Sequence, residues 1–264
     1  MRRGRGHAMT LPPSTARRPA ADLLADQRSL RDWITRYGEQ HGAGRFPVAS
    51  ALAFKAYTWA LIEVAIGCWV SELRVLDVSS SRVAVSIDPS GEPVAEFLSV
   101  HFTVLPDDPM AGQPGVAVVE TEAELLEALR RTLVEGHLAP AVEAFQLVRG
   151  GGARPLWGTV AQSMGYPAAT ADPALLPDRA GAVQRLLSIL PHDAGALVEL
   201  AEMDDGRGWR PLLLRRTCCY AYTLPAYQQP CLTCCLLDDD GRDAVAAADQ
   251  VAWRRCEPGG GTSN

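Results

Sequence analysis

The sequence carries no phosphate-binding loop of the familiar kinds. Gly150-Gly151-Gly152 is a loop element, but neither GxGxxG nor GxxxxGK follows it, so a nucleotide held in the Rossmann or P-loop manner is not expected. The long strand–helix alternation of a doubly wound sheet is missing too, as are any repeat period and any sustained heptad array. No Ser/His/Asp order and no nucleophile elbow appears, which makes hydrolysis a poor reading. The histidines form no cluster: His7 stands near the start, His41 in a loop, His101 in a strand-like run, His137 by a helix start and His192 after Pro191.

Acid is absent from the first 18 residues, where Arg2, Arg3, Arg5, Arg17 and Arg18 sit. Taking these five positive charges from a net charge of −6 leaves −11 on the rest, so no general nucleic-acid surface is expected. The same 18 residues have Gly, Pro and Arg where a signal peptide needs its apolar stretch. They read as a disordered basic leader (residues 1–19) on a cytoplasmic chain. One segment raises the membrane question. Residues 46–70 are rich in Ala, Val, Leu, Phe and Trp, and Lys55 and Glu63 are the charges inside them. Two interior charges make insertion costly, so a buried core helix is expected, with peripheral membrane association left open.

The chain has 264 residues, 47% hydrophobic and 21% charged, enough for a substantial core. Leu23, Leu24, Leu30, Trp33 and Ile34 recur near helical spacing, which predicts a helix over 20–37. A glycine-containing break at 38–44 precedes the apolar helix. Short β-branched runs at 73–78, 82–88 and 94–105, separated by Ser79-Ser80-Ser81 and Asp88-Pro89-Ser90-Gly91, predict a small antiparallel meander. A strand-like run at 115–119 leads to Thr121, which with Glu124 forms a capping box for a helix through Thr132. Further helices are expected over 138–147, 156–164, 179–190 and 194–203. The fold class is α+β: a mostly helical body with a small antiparallel sheet and a C-terminal cysteine-rich segment.

Five of the seven cysteines fall within 18 residues: Cys218, Cys219, Cys231, Cys234 and Cys235. Such clustering in a cytosolic chain points to metal or redox chemistry rather than structural disulfides. Cys231-x-x-Cys234 lets two thiolates converge through a tight turn, while Cys218-Cys219 supplies two more from adjacent residues. Eleven residues lie between the pairs, with Pro225 and Pro230 favouring a loop that doubles back. Three readings compete. Structural zinc prefers two CxxC knuckles, which adjacent cysteines suit poorly. A catalytic dithiol uses Cys231 and Cys234 alone and leaves the Cys-Cys pair unexplained. A [2Fe–2S] cluster needs two thiolates on each iron, a demand that a vicinal pair and a CxxC pair can meet. No histidine lies near the CxxC to replace a cysteine, as in Rieske centres. Cys68, among apolar residues, reads as an inert buried thiol, and Cys256 as a spare.

The run Arg-Arg-Thr-Cys-Cys-Tyr-Ala-Tyr-Thr-Leu-Pro at 215–225, followed by Cys-Leu-Thr-Cys at 231–234, resembles the C-terminal signature of ferric-siderophore reductases of the FhuF type. Arg154-Pro-Leu-Trp-Gly-Thr-Val-Ala161 is similar to a second recurrent segment of these proteins, so the likeness covers about residues 20–237. It implies a [2Fe–2S] cluster on Cys218, Cys219, Cys231 and Cys234. It also implies one-electron reduction of ferric siderophores, often hydroxamates, with release of Fe(II) in the cytoplasm. An electron donor such as a ferredoxin or a flavin-dependent reductase is implied as partner. The body is similar in organisation to the C-terminal part of siderophore synthetases. The loop between the pairs is one residue longer than the pattern, which makes Cys235 an alternative ligand. The alternative function is a cluster- or zinc-containing siderophore-binding or sensor protein without turnover.

The division expected on this reading is a siderophore-handling body over 20–210, a cluster-binding segment over 211–240, and a helix and tail over 241–264. Arg215 and Arg216 precede the first ligand. As neighbours of an anionic cluster they would raise its potential, and otherwise they are a solvated pair. Tyr220, Tyr222 and Tyr227 either shield the cluster or pack in the body. Trp157 reads as a core anchor or a cleft residue. Asp238, Asp239 and Asp240 form either a solvated turn or a contact for a basic redox partner.

Overall fold

The computed structural model describes residues 18–89, 91–204, 209–224 and 230–248. Most of the leader, Tyr227 and Cys256 lie outside them. The architecture is α+β, a helical body with small sheets attached.

The helix expected over 20–37 is two helices, α1 (Ala20–Ala25) and α2 (Gln27–Gln40). Asp26 divides them, because its carboxylate accepts the Ser29 amide at 3.1 Å and the Ser29 hydroxyl at 2.6 Å and so starts a new helix. Helix α3 (Phe46–Glu72) opens with Pro47 in its first turn and closes at Leu73 in the left-handed region. It is the one helix among the described residues long and apolar enough to cross a membrane, and 56% of its most apolar window is buried inside the protein. Its partners are α2 and α6 (Arg154–Thr170). Trp33, Phe54, Tyr57 and Phe145 meet at the centre of the core, with ring centroids 5.0 to 6.2 Å apart in edge and tilted contacts.

The meander expected between 73 and 105 is two separate sheets. β2 (Val83–Ile87) and β3 (Pro93–Phe97) form an antiparallel hairpin, whereas β1 (Val75–Leu76) pairs antiparallel with β4 (Phe102–Val104). β4 in turn pairs parallel with β5 (Val116–Val118), so the second sheet is mixed. The run 94–105 divides because its middle turns outward, leaving Val100 57% exposed.

The capping box forms as read from Thr121 and Glu124, and it starts α4 (Glu122–Leu129). The chain then continues as a π-helix over Arg130–Leu138 before α5 (Ala139–Arg149). Within the π-helix His137 is fully buried. One ring nitrogen lies 2.6 Å from the Val78 carbonyl and the other 2.7 Å from the Tyr57 hydroxyl. The carbonyl requires N–H on Nδ1, so Nε2 accepts from Tyr57 and the ring is neutral.

After α7 (Arg179–Ser188) the helix expected over 194–203 is replaced by a single 3-10 turn, Ala194–Leu197, and by strand β6 (Val198–Asp204). Strand β7 (Trp209–Arg215) completes an antiparallel hairpin in the register Val198↔Arg215 to Asp204↔Trp209. Ala194, Leu197 and Leu200 at three-residue spacing imitate a helix, but pairing with β7 overrides that local preference. α8 (Asp239–Ala248) closes the described chain.

Glycines let the hairpin lie close against α6. A Cβ at Gly165 would stand 2.8 Å from a Leu213 methyl, and one at Gly158 would stand 2.0 Å from Thr217 Oγ1. One apolar core runs from Leu24 to Leu224, and Leu212 with Leu232 forms a second small cluster under the cysteine segment.

Burial holds the His137 imidazole down to about 4, and the Val78 carbonyl only partly offsets it. An unfolded histidine titrates near 6.5, so the unfolded chain takes up this proton first. The His137 contribution is therefore complete above pH 6.5 and is lost as pH falls toward 4. Urea unfolding at pH 7 and pH 5 should show the loss, and His137→Asn should flatten the slope while lowering stability throughout.

Candidate functional site

β7 carries the chain to Arg215, two residues beyond which the buried Thr217 precedes the cysteine pair. The Arg215 amide donates to the Thr233 carbonyl at 3.0 Å, which fastens the CxxC turn to the end of the strand. The Arg216 amide donates to Leu197 O at 2.8 Å, which fastens the same strand end to the 3-10 turn. Cys231 and Cys234 are the ends of a tight turn, with the Cys234 amide donating to Cys231 O at 2.8 Å. On the other side Tyr220 adopts φ +62 and its amide donates to Cys218 Sγ at 3.3 Å. The two cysteine-bearing segments are thus joined by backbone, not merely adjacent in sequence.

Arg215 is 4% exposed. It donates to Thr159 Oγ1 at 3.0 Å, to Gln162 Oε1 and to Thr217 O at 3.3 Å. Gln162 must present its oxygen to the guanidinium, so its amide nitrogen faces Thr233 Oγ1, 3.2 Å away. Cys231 Sγ lies 3.6 Å from the same Thr233 hydroxyl. The chain of contacts therefore runs from α6 through Arg215 and Thr233 to a thiol. Every hydrogen-bond partner of the guanidinium is neutral, and no carboxylate pairs with it among the described residues. A buried cation without a counter-charge is costly unless an anionic group stands nearby.

Arg216 behaves differently. It is exposed and pairs with Glu199 at 3.2 Å on the surface. Tyr220 packs on the core under Arg149, whose guanidinium lies 6.0 Å from the ring centroid, and Tyr222 is exposed. Asp238 caps α8 by accepting the Gly241 amide at 2.9 Å, and Asp239 and Asp240 fill the first helical turn. Arg242 of that helix donates to Cys234 O at 3.2 Å.

Cys219 and Cys234 are buried, while Cys218, Cys231 and Cys235 are half-buried. Burial first, then the neighbouring Cys231, Cys235 and Cys219, push the Cys234 thiol up to about 12. Burial also raises Cys218, with Cys219 and Cys235 adding to it, while the Tyr220 amide and Arg215 pull the other way. Cys218 and Cys234 are thus each raised in part by neighbouring thiols, and a cation beside them would favour their thiolates. Among the described residues no three His, Cys, Asp or Glu side chains stand together at metal-binding distance.

The donor chemistry fits an anionic iron–sulfur group. Two pairs of soft thiols are present, and a buried guanidinium lacks a carboxylate. The Thr217 hydroxyl is also buried without a hydrogen-bond partner beside the pair. Cys68, away from this site in α3, is half-buried, and burial raises its thiol. Sequence reasoning missed Thr159, Gln162 and Thr233. Gln162 lies one residue beyond the Arg154–Ala161 segment, whose register on a helix was the available signal.

No protein-family model matches this chain, and no curated protein matches its sequence.

The Gly158 contact is testable. Gly158→Ala should destabilise the fold by about 1–3 kcal/mol by pushing Thr217 off α6. Thr217→Ala in the same chain should recover part of the loss. Urea titration measures both, and a fully stable Gly158→Ala protein would contradict the contact.

Proposed function

We propose that this chain is a cytoplasmic ferric-siderophore reductase that holds a [2Fe–2S] cluster on Cys218, Cys219, Cys231 and Cys234. The observation that carries the reading is Arg215, a buried guanidinium with neutral hydrogen-bond partners, set between two cysteine pairs that the backbone ties together. When bound, the cluster supplies a single-electron donor of low potential. The protein's share of the work is electrostatic and steric. Arg215 offsets negative charge among the thiolates, and Thr159 and Gln162 hold it in place. Leu212 and Leu232 pack beneath Cys231 and limit its contact with water.

The substrate is Fe(III) in a hydroxamate chelate. Hard oxygen ligands bind Fe(III) tightly and Fe(II) far more weakly, so one electron is enough to release the metal. The electron comes from an external donor such as a ferredoxin or a flavin-dependent reductase. Arg215 rather than Arg216 is the guanidinium that tunes the site, because Arg216 is already engaged with Glu199 at the surface.

Turnover tests the reading. Reduced protein mixed anaerobically with a ferric hydroxamate and a ferrous trap should be reoxidised within seconds. A protein that stays reduced would show that it does not turn over this substrate. Cys219→Ser and Cys234→Ser should each abolish the visible spectrum, whereas Cys68→Ser should leave it intact. Loss of the spectrum in Cys235→Ser would move the fourth ligand from Cys234 to its neighbour.

A further inference from the structure

Helix α3 has two unlike sides. Tyr57, Leu61, Ile62, Ala65, Ile66 and Trp69 recur with the helical period, are at most 5% exposed and face the core. On the other side Ala56, Trp59, Ala60 and Val64 are half-buried or exposed, and Val64 is 38% open to solvent. The same side carries Lys55 and Glu63. Burial of 56% of the most apolar window of this helix thus leaves a strip of small and apolar side chains uncovered. Trp59 is steadied on that strip by an edge contact with Tyr166, with ring centroids 5.6 Å apart. Gly67 lies further along it, and a Cβ there would meet nothing within 4 Å. Packing inside the protein therefore gives no reason for a glycine that weakens the helix, whereas close approach of another surface does.

The two charges decide what that surface is. Neither the Lys55 nor the Glu63 side chain has a partner among the described residues. Eight residues apart on one helix, they lie beyond the i, i+4 reach at which side chains pair. An antiparallel copy of the same helix removes the difficulty. A two-fold axis crossing α3 at Trp59, midway between them, sets Lys55 opposite Glu63 of the second copy. The same axis sets Glu63 opposite Lys55 of the second copy, so one operation pairs both charges twice over. A parallel arrangement would set like charge on like charge. A lipid surface would leave Glu63 unpaired, and it favours a helix rimmed with Lys and Arg, which this strip lacks.

We propose that the uncovered side of α3 is the interface of a homodimer, in which two copies of the helix pack antiparallel about an axis at Trp59. The apolar strip supplies the buried area, Trp59 the anchor at its centre, and the reciprocal Lys55–Glu63 pairs the register. The assignment is independent of the reductase reading.

Sedimentation equilibrium of the full chain with its metal as purified, from micromolar to submillimolar concentration, tests it. The protein should sediment at twice the chain mass at the upper end. Lys55→Glu and Glu63→Lys, each placing like charges across the axis, should each raise the dimer dissociation constant roughly tenfold or more. Mixing the two variants should restore the dimer, because a Lys55→Glu chain and a Glu63→Lys chain pair their charges correctly with each other. The chain carrying both changes should again dimerise with itself. Rescue by mixing also shows that each variant is folded.

A monomer throughout the range would overturn the proposal, and so would a monomer that binds anionic phospholipid vesicles through this face. A dimer that neither single charge reversal weakens would place the interface elsewhere. Loss of the dimer in both variants without recovery on mixing would overturn the antiparallel register.

Discussion

The arrangement at the cysteine end depends on one buried charge. Arg215 is held by Thr159 and Gln162 of α6 and by its own segment, and its amide fixes the CxxC turn through Thr233. Moving a guanidinium out of water costs several kcal/mol when no anion accompanies it. The network of neutral acceptors satisfies its N–H groups but not its charge. The cysteine thiols on either side are raised by burial and by one another, so a cation beside them would favour their ionised form. A buried cation beside two cysteine pairs is consistent in sign with the anionic cluster proposed above.

That same charge explains why α6 is built as it is. Gly158 and Gly165, seven residues apart, let β7 and Thr217 approach the helix. Thr159 and Gln162 on the same helix then meet the arginine as it arrives. A larger residue at Gly158 would separate the helix from the segment it clamps. The helical body and the cysteine segment are therefore mechanically joined.

Much of this was legible in the residues. The apolar run beginning at Phe46 became a single core helix because length and composition left it little choice. Thr121 and Glu124 formed their capping box because capping chemistry is local. What stayed hidden was non-local. The hairpin Val198–Asp204 with Trp209–Arg215 was disguised by Ala194, Leu197 and Leu200 at helical spacing. Asp-Gly-Arg-Gly at 205–208, flanked by apolar runs, was the turn signal that could have exposed it. The cysteines were readable as a group from spacing. Gln162 and Thr233, 71 residues apart, could be paired only by the fold. The π-helix after Leu129 likewise leaves no mark in composition or capping, since a widened turn answers to packing around His137.

The claim that four thiols hold an iron–sulfur group, and not zinc, is tested most directly by the metal and colour of the purified protein. Purified anaerobically, it should carry two irons and two acid-labile sulfides per chain, with visible absorption that bleaches on addition of dithionite. A colourless protein containing one zinc per chain would contradict the account at its base.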